Sequence, residues 1–186
     1  MKPLISILIL MAMVKNTGAQ IPANWAQYTV SDTIDIPVGQ FWPISFRVSL
    51  EDIGNMAKYK DLPKIQYTTP VYGNFTREGD SRRVHFETGK TLLETIVKTA
   101  EPAGFGYELT EIEIPLRTVA RRARGYFNYT ALPDGKTRVE WTYGFEQKNA
   151  IAKWMINRYI KKTHKFWMKD TLSEIKRQTE KIYNNK

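Results

Sequence analysis

A chain of 186 residues with 28 Lys and Arg against 19 Asp and Glu, a formal charge of +9 and no cysteine suits one domain. A domain of that size buries roughly two thirds of its unfolded surface. The absence of cysteine excludes disulfides, thiolate catalysis and cysteine-based zinc sites, and there is no internal repeat or low-complexity tract.

The N-terminus reads as a separate segment. Lys2, the apolar run Leu4 to Val14 and the small-residue end Asn16-Thr17-Gly18-Ala19 have the form of a secretory signal peptide. The run is too short to cross a bilayer of about 30 Å comfortably. We therefore expect export to a periplasmic or secreted location with cleavage near Ala19, leaving one domain over residues 20–186. Lys15, directly after the run, keeps an uncleaved membrane tether as the alternative.

Tyr28 to Ile36 alternates as a strand. Pro37 opens a short helical stretch through Phe41-Trp42 that Pro43 cuts, and a second short helix is expected around Leu50 to Tyr59. Asp61-Leu62-Pro63 then leads into a strand from Lys64 to Tyr72.

From Gly79 to Phe145 the chain reads as one antiparallel meander. Its first hairpin joins Arg82–Glu87 to Thr91–Thr99 about Thr88-Gly89-Lys90. An odd-numbered loop places Val84, Phe86, Leu92 and Ile96 on one face together with Arg82 and Glu94; a two-residue turn would set Arg83 opposite Glu94 instead. We favour the first because it gathers the apolar residues. Glu101-Pro102-Ala103-Gly104 breaks the chain, and Phe105, Tyr107 and Leu109 alternate until Pro115. In the last hairpin, Leu132-Pro133-Asp134-Gly135-Lys136 has the chemistry of a three-residue loop with a bulge. Pairing Leu132 with Lys136 sets Tyr129 against Val139, Phe127 against Trp141 and Gly125 against Tyr143. Continuing the period of two puts Ala123 and Arg121 on the inner face, with Arg122 and Arg124 outside.

A helix, or two in line, begins near Asn149. From Thr163 onward Met168, Leu172, Ile175, Thr179 and Ile182 share one face, with Lys162, Lys165, Lys169, Lys176 and Arg177 opposite. Ile151, Met155, Tyr159 and Phe166 follow a different stripe, so the helix bends or its two ends bury different faces. Phe166 and Trp167 stand where they would cover a cavity mouth. Residues 148–186 hold eleven Lys or Arg against three acids, so this element carries the basicity of the chain. The basic face is either a solvated surface or a contact for anionic lipid; nucleic acid is disfavoured by the export signal and the lack of a binding motif.

Strand, short helices, antiparallel strands and one long terminal helix make an α+β arrangement, a curved sheet wrapped around the helix. The series Gly79-x-x-Arg82-x-Val84, Gly89, Glu94, Tyr107, Pro115-Leu116, Asp134-Gly135 and Val139-Glu140-Trp141-x-x-x-Phe145, with Pro37 and Phe41-Trp42, resembles the SRPBCC superfamily of START-like, helix-grip proteins. More narrowly it is similar to the polyketide cyclase/dehydrase-type branch. The resemblance covers residues 28 to 183. It implies a hydrophobic or amphipathic small molecule held between sheet and long helix, and in the receptor-like members the positions matching Arg82 and Glu94 face the pocket. The loop after Glu94 lacks those receptors' gating pattern, and a secretory signal is unusual for the group.

The candidate ligand-binding residues are Arg82, Glu94, Tyr107, Arg121, Phe127, Tyr129, Trp141, Tyr143, Met155, Tyr159 and Phe166. Arg82 and Glu94 either orient a ligand's carboxylate or hydroxyl, with Glu94 a candidate proton acceptor, or form an internal ion pair that satisfies two buried charges. Arg121 is either a second anionic anchor or a rim residue. The aromatics are pocket wall or ordinary core. His85 is expected exposed and His164 among the helix lysines, neither near a Ser or Asp partner. That layout argues against a hydrolytic triad or a metal centre, and we expect no cofactor. The expected function is an exported binding protein for a lipid-like or aromatic molecule; the alternative is a cyclase or dehydratase using the same pocket.

Overall fold

The computed structural model describes residues 21–55, 59 and 62–185, so the segment expected to direct export lies outside the described residues. The strands are β1 (Ala26–Ile34), β2 (Ile65–Tyr72), β3 (Ser81–Phe86), β4 (Thr91–Ala100), β5 (Gly104–Thr110), β6 (Ala120–Ala131) and β7 (Thr137–Gln147). They form one antiparallel sheet in the order β1-β7-β6-β5-β4-β3-β2. The helices are α1 (Val38–Ser45) and α2 (Leu50–Gly54) after β1, then α3 (Ala150–Tyr159), a π turn (Ile160–His164) and α4 (Lys165–Asn184) at the end.

Turn chemistry sets the register of both hairpins. Leu132 N–H donates to the Lys136 carbonyl at 2.9 Å, Gly135 has φ +77°, and Tyr129, Phe127 and Gly125 pair with Val139, Trp141 and Tyr143 as expected. Only a residue without Cβ takes that φ at little cost. In the first hairpin Phe86 N–H bonds the Lys90 carbonyl, and Arg82 pairs with Glu94 and Val84 with Leu92. The odd-loop register is the one the chain adopts.

Strict alternation is broken by bulges in β2, β4 and β6, and the one in β6 bears on a candidate residue. Along β6, Ala120 pairs with Gln147 and Ala123 with Phe145, so β6 carries one residue more than β7 over that stretch. This bulge reverses the parity upstream of it. Ala120 and Ala123 are both buried, while Arg121 is exposed, contrary to its expected inner position.

The short helices close one end of the concave face. In α1 Phe41, Trp42 and Ile44 are buried, and Pro43 is accommodated inside the helix, which runs two residues further to Ser45. α2 starts at an N-cap, where the Ser49 hydroxyl accepts from the Asp52 N–H, and ends at Gly54, short of the expected Tyr59.

The terminal helix starts where expected: the Asn149 side chain accepts from the Ala152 N–H at 2.8 Å. Its buried positions are Ala152, Ile156, Ile160, His164, Met168, Leu172, Ile175 and Thr179. Steps of four hold from Ala152 to Leu172. In an α-helix such a row drifts around the axis; the wider π turn returns it to the sheet. The stripe expected over Ile151, Met155, Tyr159 and Phe166 is split: Ile151 and Phe166 face outward, Met155 is half exposed at the edge of the space between sheet and helix, and Tyr159 is mostly covered. α4 lies against β1, where Lys176 Nζ donates to the Thr33 carbonyl at 2.7 Å and Glu180 accepts from the Asp35 N–H at 3.0 Å.

Candidate functional site: a cavity between sheet and helix

The concave face does not close onto the helix along its whole length. Next to the packed core of Ile34, Ile36, Val139, Met168 and Leu172 lies a cavity of about 560 Å³. Its sheet wall holds Phe105, Tyr107, Phe127, Tyr129, Trp141 and Tyr143; its helix wall holds Met155, Ile156, Tyr159, His164, Trp167 and Thr171. Val48, Leu50, Ile53, Leu62 and Pro63 complete it on the α2 side.

The aromatic wall follows from strand alternation. Phe127 and Trp141 are cross-strand partners on β6 and β7, and their rings stack at 5.0 Å with planes 12° apart. Trp167 from α4 lies 5.7 Å from Trp141. Tyr107 lies across Gly125, where a Cβ would come within 2.1 Å of the ring, so the glycine is what lets the phenol lie there. The Tyr107 hydroxyl accepts from Trp141 Nε1 at 3.1 Å.

One ion pair enters this apolar space. Arg82 Nε donates to Glu94 Oε2 at 2.6 Å, with the two side chains 21% and 7% exposed, and the guanidinium sits 3.9 Å over the Phe75 ring. A pair this covered is held by its mutual charge and the hydrogen bond, and removing one partner strands the other. Burial raises the phenols of Tyr107, Tyr129, Tyr143 and Tyr159 above their ordinary value, and the Glu94 charge adds to this at Tyr107 and Tyr143. These phenols are therefore neutral groups, able to donate a proton in a hydrogen bond, at neutral pH.

His164 is the main surprise. Expected among lysines, it is buried between Tyr143 and Phe145 of the sheet, at 4.9 and 5.2 Å, and Tyr159 and Trp167 of the helix, at 5.5 and 5.3 Å. Burial lowers its pKa from 6.5 to about 3, so the imidazole is neutral. Its Nδ1 and the Thr171 hydroxyl are buried with no hydrogen-bond partner among the described residues. Thr179, on the same helix, instead returns its hydroxyl to the Ile175 carbonyl at 2.8 Å.

Nine of the eleven candidates line the cavity: Arg82, Glu94, Tyr107, Phe127, Tyr129, Trp141, Tyr143, Met155 and Tyr159. Arg121 and Phe166 do not. The β6 bulge turns Arg121 outward, and Phe166 is half exposed with Lys165 Nζ 4.7 Å over its ring. The sequence reading missed His164, Thr171 and Phe75 as wall residues. His85 packs on the outer face, its ring stacked 4.3 Å from Tyr67. Among the described residues no three His, Cys, Asp or Glu side chains come together as a metal ion would need.

No family model matches the chain, and no curated protein does. Solved structures match its shape. Ara h 8.0201, a crystal structure, is 14% identical with a TM-score of 0.55 over 84% of this chain and 99% of that one. A protein from Arthrobacter aurescens, solved by NMR in solution, is 13% identical with a TM-score of 0.58 over 84% and 87%. A protein from Nitrosospira multiformis is 18% identical with a TM-score of 0.52 over 82% and 95%. The fold is the helix-grip fold, SRPBCC-like. At these identities the likeness concerns the fold, and it does not single out the polyketide cyclase/dehydrase branch. In this helix-grip chain, the space between sheet and grip helix is the cavity described above.

Proposed function

We propose that the chain binds a hydrophobic or amphipathic small molecule, lipid-like or aromatic, between sheet and helix, and that it does so after export and removal of residues 1–19. The observation that carries this is the cavity itself. About 560 Å³ walled by aromatic rings, with the Arg82–Glu94 ion pair inside, has the size and lining of a small-molecule site. Apolar walls supply affinity without direction; Arg82, Glu94 and the neutral phenols fix orientation. A guest with a hydroxyl, carbonyl or carboxyl end matches them better than a bare hydrocarbon.

Native mass spectrometry of protein purified from its own source tests the reading. A co-purifying apolar molecule returned unchanged supports a carrier; a protein free of any guest and indifferent to apolar probes ends the proposal. Arg82→Ala and Glu94→Gln are expected to weaken an amphipathic probe about tenfold, one charge-assisted hydrogen bond, while leaving a purely apolar probe nearly unchanged. Unchanged affinity for both would remove the pair from the site. N-terminal sequencing of the exported protein is expected to start at Gln20.

The second reading is a cyclase or dehydratase of the polyketide type, favoured by one observation: Glu94 shares the cavity wall with the buried phenols of Tyr107 and Tyr143. There the carboxylate would accept a proton and a phenol donate one. Conversion of a bound polyketide-like molecule is its test. The carrier reading is preferred because it asks only for apolar walls and an orienting pair, which the lining supplies, whereas the described lining residues pair no nucleophile with a base and an oxyanion site.

A further inference from the structure

The outward stripe on α3 is a surface without a covering element. Ile151, Trp154 and Met155, spaced i, i+3 and i+4 on one face, are 73%, 64% and 47% exposed, and Phe166 beyond the π turn is 47% exposed. Large apolar side chains grouped in the open mark an interaction face.

Charge indicates what covers it. Residues 150–169 contain six Lys or Arg and no acid. Two of those cations sit on the exposed rings: Arg158 lies 6.0 Å over Trp154, and Lys165 lies 4.7 Å over Phe166. Aromatic and aliphatic tips flanked by cations suit the boundary of an anionic bilayer, where rings enter the headgroup region and cations meet the phosphates. The patch also runs into the cavity: Met155 is at once half exposed and part of its wall, with Tyr159 one turn further in.

We propose that the α3 face docks on an anionic lipid surface, with Ile151, Trp154 and Phe166 immersed and the Met155 edge of the cavity turned toward the lipid. The choice of a bilayer over an acidic protein rests on the apolar guest proposed above. The surface differs from the basic face of α4, since it is the apolar side chains of α3 that lead.

The cysteine-free chain allows a site-specific test. A nitrobenzoxadiazole label on Ile151→Cys is compared with one on Asp134→Cys, in the β6–β7 turn, in the full-length protein. Vesicles of mixed phosphatidylcholine and phosphatidylserine at low salt are expected to raise and blue-shift emission at 151 severalfold and to leave 134 unchanged. Arg158→Glu, Lys162→Glu and Lys165→Glu together are expected to weaken that response roughly tenfold or more. A silent label at 151, an equal response to pure phosphatidylcholine, or a response to protein concentration alone overturns the proposal; the last would make the face a contact between copies. Because each label reports its own position, the apolar N-terminal run cannot mimic the result. Anilinonaphthalene sulfonate binding to the cavity is followed in parallel. No probe binding with a responding 151 label removes the guest and keeps the docking, whereas probe binding with a silent label removes the docking alone.

Discussion

At the scale of single residues, His164 decides how the fold meets acid. The folded imidazole stays neutral to about pH 3, whereas in the unfolded chain it takes up a proton below about 6.5. Stability is thus fully present above 6.5 and falls as the pH drops toward 3, by about 1.4 kcal/mol per unit inside the window. Between pH 7 and 5.5 the loss is about 1.3 kcal/mol, read as the change in urea unfolding free energy. His164→Leu is expected to abolish that slope; an unaltered slope would assign it elsewhere. The carboxylates held low by their partners, Asp80 by the Thr76 N–H and Glu174 by Arg177, act below the ordinary carboxylate range and leave this interval clean. Gly125 gives a second residue-scale prediction. Gly125→Ala places a methyl 2.1 Å from the Tyr107 ring and must displace it, breaking the hydrogen bond from Trp141. The expected cost is about 1–3 kcal/mol in a thermal melt, with a changed affinity for bulky probes.

At the scale of elements, the terminal helix has an inward and an outward face, and the π turn keeps the inward row continuous from α3 into α4. Ile156→Ala, at 1% exposure, is expected to cost about 2–5 kcal/mol; Ile151→Ala, at 73%, should change stability by less than about 0.5 kcal/mol. Equal losses would contradict the orientation of α3. Asn149→Ala removes the cap and is expected to cost about 1 kcal/mol. These elements also show why the sequence was legible in some places and opaque in others. The β6–β7 hairpin is readable because turn chemistry and apolar alternation, two separate constraints, select one register, whereas the β3–β4 hairpin rests on the grouping of apolar residues alone, which brings Arg82 to Glu94. Arg121 was misplaced because a bulge leaves no mark in a period of two. His164 and Phe166 were exchanged because a wheel of constant pitch cannot contain a turn wider than an α-turn, and a histidine among lysines gives no sign that its own step faces the sheet.

At the scale of the whole molecule, shape and charge divide the labour. Packed side chains fasten α4 to β1 and Trp167 meets Trp141 of β7, while beside them the sheet and helix leave the cavity of about 560 Å³. Binding confined to the folded state adds stability by mass action, about 2.7 kcal/mol at a hundred times Kd. If the proposed guest binds, protein stripped of it is expected to melt lower and restoring it should recover the transition; identical melts would mean that the folded and unfolded chains hold it equally. That the interior is hollow rather than filled was not legible. The same aromatics at the same spacings serve as packing or as lining, and only the separation of sheet and helix distinguishes the two.

The Trp167 indole spends its N–H on the Gly54 carbonyl at 3.1 Å, while its ring stands on the cavity wall beside Trp141. One side chain thus latches the α2 turn to the last helix and also touches whatever lies within. A molecule large enough to push that ring aside must unfasten the latch as it enters, so the enclosure answers to the bulk of its occupant, and a shift in indole fluorescence would signal filling and loosening as a single event.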